Sequence, residues 1–102
     1  MIIFNTTFHV HLSVKDEFIA WVRKEYFPAA LKNEAITEPT FAKLLIEVQE
    51  DAVSYAVQLK ATSLEAAVAW HDNEGEQLRS GLMKRFGERV VFFTTYMETV
   101  NL

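Results

Sequence analysis

Residues 2–12, "IIFNTTFHVHL", alternate along the chain. Strand side chains point to opposite faces with a period of two. Phe4, Thr6, Phe8, Val10 and Leu12 therefore share one face, and Ile3, Asn5, Thr7, His9 and His11 share the other. The run is rich in β-branched and aromatic residues and predicts a half-buried strand. Ser13 is the expected helix cap, with Asp16 and Glu17 in the first turn, where acids suit the helix dipole. Phe18, Trp21, Val22 and Glu25/Tyr26 follow at helical spacing. Pro28 lacks a donor and clashes with the preceding turn, so this helix should end or kink near Tyr26–Phe27. Residues 28–39 then read as a helical turn and loop stopped by Pro39.

Residues 40–49, "TFAKLLIEVQ", alternate again, with Ala42, Leu44, Ile46 and Val48 on one face and Phe41, Lys43, Leu45 and Glu47 on the other. "QEDA" supplies a turn and "VSYAVQLKA" a further strand, so 40–61 reads as a hairpin. Thr62 and Glu65 make a capping-box pattern before a run of helix formers that reaches Phe86, with Gly87 as the stop and Gly75 as a bend or break. Residues 89–100, "RVVFFTTYMETV", form the last strand.

Strand, helix, strand, strand, helix, strand is the order of the ferredoxin-like βαββαβ fold: a single α+β domain over 1–102, with a four-stranded antiparallel sheet and two helices on one face. Strands one and three are expected in the centre, running parallel. The face left bare by the helices should then carry Asn5, Thr7, His9 and His11, then Phe41, Lys43, Leu45 and Glu47, then Ser54, Ala56, Gln58 and Lys60, and finally Phe92, Thr94, Tyr96 and Glu98. A solvated face would not hold Phe41, Leu45, Phe92 and Tyr96 together, and large exposed apolar patches mark interaction sites. The expectation is a homodimer formed sheet to sheet about a two-fold axis, a dimeric α/β barrel.

Composition narrows the partners. Half of the 102 residues are hydrophobic, which excludes a disordered chain. The net charge of −4 and the scattered basic residues argue against nucleic acid. The absence of cysteine excludes disulfides and thiolate chemistry. The "MIIFNTTFHV" start lacks the marks of a signal peptide, and no apolar run approaches a membrane span, so a cytoplasmic protein without membrane contact is expected.

His9 and His11, two apart on a strand, are the first candidate chemistry, because both could reach one metal ion. A third ligand is missing. His71 belongs to the second helix, Glu98 should lie nearer Asn5, and a parallel third strand would bring the cation of Lys60 toward His11. The histidines read better as hydrogen-bonded groups within a partly polar interface, and neither a metal nor another cofactor is expected. "HDNE", residues 71–74, reads as a polar helix face before a break, and Glu17 and Glu25 as solvated surface. Trp21 and Trp70 read as core. Tyr26, at the Pro28 break, is the best candidate for the mouth of an internal pocket, although its ring suits the core.

At "DEFIAWVRKEYFPAAL" and "VVFFTTYMETV" the sequence resembles a Bacteroidetes-type bacterial family known only as a domain of unknown function, in the dimeric α/β-barrel group. The resemblance spans nearly the whole chain. It rests on the "MII" start, Trp21, Pro28, "YAVQ" at 55–58, Phe86-Gly87 and the Thr95, Met97 and Glu98 positions. The family pattern often has histidine where Tyr26 stands. The resemblance implies the fold and a dimer, and no reaction; similar barrels include cofactor-free monooxygenases, lactone isomerases and stress-related binding proteins. The preferred reading is a dimeric small-molecule-binding or protein-interaction module, with His9, His11, Tyr26, Gln58 and Tyr96 as candidate pocket or interface residues. The alternative is a cofactor-independent monooxygenase or isomerase acting on a small aromatic or conjugated substrate, with Tyr26, His9, His11 or Tyr96 moving protons.

Overall fold

The computed structural model describes residues 1–45 and 50–101. Strand β1 (Ile2–His11) leads through a 3-10 turn into a first helical rod, made of α1 (Lys15–Trp21), a π-turn (Val22–Tyr26) and α2 (Phe27–Leu31). Strands β2 (Ile36–Lys43) and β3 (Ala52–Ala61) follow. A second rod repeats the design with α3 (Leu64–Trp70), a π-turn (His71–Gly75) and α4 (Glu76–Phe86), and β4 (Val90–Glu98) completes the sheet. The strand order is β2-β3-β1-β4 and every neighbouring pair is antiparallel. This is the expected α+β, ferredoxin-like architecture.

Both rods lie on one sheet face. Phe8 packs against Phe18 and Trp21 of the first rod, with ring centroids 5.0 and 5.9 Å away, while Phe4 meets Trp70 of the second at 6.0 Å. Tyr26 fills the seam between the rods, 5.3 Å from Trp21 and 5.4 Å from Trp70. Burying these large rings is the main driving force for a chain of this size.

Several local expectations are corrected. Strands one and three run antiparallel, because β3 returns through a hairpin from β2, which the helical crossover has already set parallel to β1. Lys60 therefore faces Ile3, and His11 faces Ala52 at the other end of the strand. Lys60 pairs with Glu38 at 3.5 Å and exerts no influence on His11. The first helix does not end at Tyr26. The π-turn, closed by Phe27 N–H donating to the Val22 carbonyl, shifts the turn that Pro28 would otherwise strike, and the rod continues to Leu31. The caps differ by a residue or two. His11 rather than Ser13 opens the first rod, its Nδ1 accepting from Ser13 N–H, and Ser63 rather than Thr62 opens the second, its Oγ accepting from Ala66 N–H at 3.1 Å. Leu12 leaves the strand and is half exposed.

β2 begins at Ile36, earlier than the expected 40, and takes Pro39 within it. It is an edge strand, where a missing N–H is tolerated, and a bulge between Thr37 and Thr40 absorbs the misfit, with Glu38 at φ +53°. The expected faces of β2 and β4 are reversed. Directly paired residues of antiparallel strands share a face. Phe41 opposes the buried Val57, and Phe92, Thr94 and Tyr96 oppose Phe8, Thr6 and Phe4. All four therefore lie on the helix side. Ala42 takes the bare face instead, together with Val91, Phe93, Thr95 and Met97. Ile46, Glu47 and Val48 lie outside the described residues.

Candidate functional site

Each candidate residue from the sequence has a defined place. His9 is on the bare face, its Nδ1 hydrogen-bonded to Ser54 Oγ and its ring 6.3 Å from Phe93. His11 is occupied elsewhere: its Nδ1 meets Ser13 Oγ at 2.7 Å and its Nε2 lies 3.6 Å from Asp51. The two imidazoles thus have separate partners and do not converge. Gln58 faces Asn5 across the centre of the bare face. Among the described residues, no group of three or more His, Asp or Glu side chains is placed to hold a metal. Tyr26 is fully buried in the seam between the rods. Tyr96 lies on the helix side of β4, apart from His9, His11 and Gln58.

An open groove of about 930 Å³ runs between the second rod and β4. Val68, Met83, Phe92 and Phe93 give it apolar walls, and His71, Asp72, Glu76, Arg79, Ser80, Lys84, Thr94 and Tyr96 give it polar ones. Of these polar groups, only Tyr96 stands out in the sequence as a candidate. The helix forms here because 64–70, "LEAAVAW", is rich in strong helix formers behind a serine cap. The π-turn that follows adds a residue to one helical turn, a feature frequent at functional sites. It sets His71 against β4, with Nε2 3.1 Å from Thr94 Oγ1 and Nδ1 3.0 Å from Asp72 Oδ1. Thr94 Oγ1 in turn meets Thr6 Oγ1 at 2.9 Å. Asp72, His71, Thr94 and Thr6 thus form one hydrogen-bonded line from the half-exposed helix surface into the core. With Nδ1–H donating to Asp72, Nε2 is the acceptor, so this imidazole can take up a proton from the Thr94 side.

Arg79 lies deeper, with 6% of its surface exposed. Its Nη2 donates to the His71 carbonyl at 2.8 Å, its guanidinium sits 5.8 Å from the centre of the Phe92 ring, and Nη1 has no partner. Sequence signal for it exists: Gly75, Arg79, Leu82 and Phe86 fall at helical spacing, which puts an arginine on the buried stripe of α4. Tyr26 Oη is likewise buried and unpaired. Burial pushes the Tyr26 phenol up to about 12, against a lesser downward pull from the neighbouring Thr6 hydroxyl and from Arg79. Thr6 Oγ1 also meets Thr94 Oγ1, and no hydrogen bond of ordinary geometry joins it to the phenol. Tyr96, 5.8 Å from the His71 ring, is also pushed up, by burial first and by Asp72 second, with Arg79 opposing.

The backbone is similar to several solved structures. A protein provisionally described as an antibiotic biosynthesis monooxygenase, from Deinococcus radiodurans, superposes with a TM-score of 0.77 at 12% identity, over 100% of this chain and 95% of that one. A dimeric ferredoxin-like protein from an uncultured marine organism gives 0.69 at 14% identity, over 99% and 96%. An ethyl tert-butyl ether d (EthD) family protein from Bacillus halodurans gives 0.62 at 12%, over 97% and 100%. At such identities the likeness is one of fold. No curated protein matches the sequence. Residues 1–100 match the model of a family described as "Domain of unknown function (DUF4286)".

Proposed function

This chain belongs to the DUF4286 family, and we propose that it is a homodimer that binds a small organic molecule in the groove between the second helical rod and β4. The observation that carries the reading is the lining: apolar surface from Val68, Met83, Phe92 and Phe93 beside polar groups that include His71, Asp72, Glu76, Arg79, Lys84 and Tyr96. In small-molecule sites apolar surface supplies affinity and polar atoms fix orientation, and this groove offers both. Titration of isotope-labelled protein with aromatic fragments tests it. Fragment-induced shifts confined to residues such as Val68, Phe92 and Tyr96 are expected, and a panel that perturbs none of them refutes it.

Two features support the dimer. On the face without helices, Val91, Phe93 and Met97 are 49%, 55% and 41% exposed, beside the half-buried Asn5, whose Oδ1 is shielded without a partner. One similar structure is itself a dimeric ferredoxin-like protein. A second copy on this face would cover the apolar row. His9 and Gln58 would then be interface residues. Light scattering checks the assembly: a dimer is expected for the wild type and a monomer for Phe93→Glu, because a charge would be buried against apolar surface. A dimer that survives Phe93→Glu unchanged places the contact elsewhere. The family resemblance supports a bacterial source.

A second reading has one specific observation in its favour. The Asp72–His71–Thr94 line is a base held by an orienting carboxylate, the arrangement needed for proton transfer from a bound carbon or phenol acid. A cofactor-independent isomerase or oxygenase would use it. If turnover is found, His71→Gln should lower kcat far more than it weakens fragment binding; retention of full turnover removes His71 from that role.

A further inference from the structure

We propose that the groove is built for an organic anion, a flat apolar acid whose carboxylate is met by Arg79. The inference rests on the binding reading above and names the class of ligand. A buried guanidinium is costly unless an opposite charge accompanies it. Among the described residues, no carboxylate comes within ion-pair distance of Arg79. Asp72 is engaged by His71 and Glu74 by the Trp70 indole N–H at 3.2 Å, and the exposed Glu76, which also lines the groove, makes no ion pair with Arg79. One carbonyl bond and the face of Phe92 account for Nη2 and for the guanidinium plane, and Nη1 remains unsatisfied.

The fold makes room for this charge. A Cβ at residue 75 would lie 2.8 Å from Nη1, so glycine there is what admits the guanidinium. Tyr96 lines the groove with Arg79, and the charge of Arg79 acts on its phenol. A buried cation with a free N–H under an aromatic wall is a donor without an acceptor. A carboxylate supplies the two acceptor oxygens and the charge, and a planar ring behind it would lie along Phe92 and Val68. A neutral ligand would leave the guanidinium uncompensated.

The experiment uses matched probes, 1-naphthoate against 1-naphthalenemethanol and benzoate against benzyl alcohol, titrated into the wild-type chain by calorimetry and by NMR. Each acid should bind at least about tenfold more tightly than its alcohol, with the Arg79 Nε–H resonance moving on acid binding only. In Arg79→Met the ratio of acid to alcohol affinity should fall to about one; in Arg79→Lys the preference should persist in weakened form. Arg79→Met should also match or exceed the wild-type melting temperature in the absence of probe, since a burden carried for a ligand is removed. Equal binding of acid and alcohol to the wild type overturns the anion assignment and leaves the groove as a site. So does an acid preference that survives in Arg79→Met. Binding of no probe at all overturns both. The wild-type comparison stands alone if a variant does not fold.

Discussion

Two glycines of the second rod provide a matched test of how tightly the groove floor is built. Gly81 lies in α4, and an added methyl there would have no atom within 4 Å, so Gly81→Ala meets only solvent. It should stabilise the chain by about 1 kcal/mol, the difference in helix propensity between glycine and alanine. Gly75 has equally ordinary helical angles, φ −60° and ψ −41°, and on propensity alone deserves the same gain. Its new methyl, however, would come 2.8 Å from Arg79 Nη1, 3.0 Å from the Trp70 ring and 3.2 Å from the Trp70 carbonyl. The arginine tip can retreat, at the loss of its bond to the His71 carbonyl, worth about 1 kcal/mol. The Trp70 ring is held by Phe4 and Tyr26 and cannot. Overpacking of this kind costs about 1–3 kcal/mol. Gly75→Ala should therefore be a net loss of about 1–3 kcal/mol, and the two variants should differ by about 2–4 kcal/mol. Urea unfolding at one fixed protein concentration measures both, since a dimer's stability depends on concentration. If Gly75→Ala gains as much as Gly81→Ala, Arg79 does not lie against residue 75 and its packing is misjudged.

Tyr26→Phe removes a buried hydroxyl without a partner and should leave stability unchanged or raise it by about 1 kcal/mol, read by the same unfolding curves. It should also blunt alkaline unfolding. The unfolded phenol ionises near 10 while the native one holds its proton to about 12, so the native state binds more protons and stability falls across that range. That fall, roughly 2–3 kcal/mol by pH 12 for this group, should be missing from a pH series on Tyr26→Phe. Ser63→Ala should cost about 1 kcal/mol by removing the acceptor for Ala66 N–H, and Ser63→Asp should restore most of it in thermal melts.

The fold is legible because each element carries its own period: two in "IIFNTTFHVHL", near 3.6 in the helical runs. Which face β2 and β4 present is not legible, for a definite reason. Both alternations of β4 are apolar, Val91, Phe93 and Met97 against Phe92 and Tyr96, so pattern alone does not decide between them. The decision belongs to pairing register, Phe8 opposite Phe92 and Phe4 opposite Tyr96, which is set across the sheet and not within a strand. Pro28 is indeed incompatible with an ordinary α-helix; of the two readings, end or kink, the helix continues, through a wider turn whose form the sequence does not specify. The histidine pair draws attention because adjacency is visible in sequence. The His71–Thr94 contact spans 23 residues and needs the crossover to be seen. Arg79 stands on the apolar stripe of α4, but a lone cation among Gly75, Leu82 and Phe86 reads as an interruption until its surroundings show that it is enclosed.

The wide turn at His71–Gly75 has an evolutionary corollary. A π-turn takes one residue more than the helical path beneath it requires. A single-codon deletion there could close the rod into plain α-helix while Trp70 before it and Leu82 and Phe86 after it keep facing the sheet. Chemistry lodged in that surplus, the His71–Asp72 pair above all, is thus separable from the scaffold: descendants could acquire, discard or exchange it by small insertions and deletions, at little risk to the hydrophobic interior.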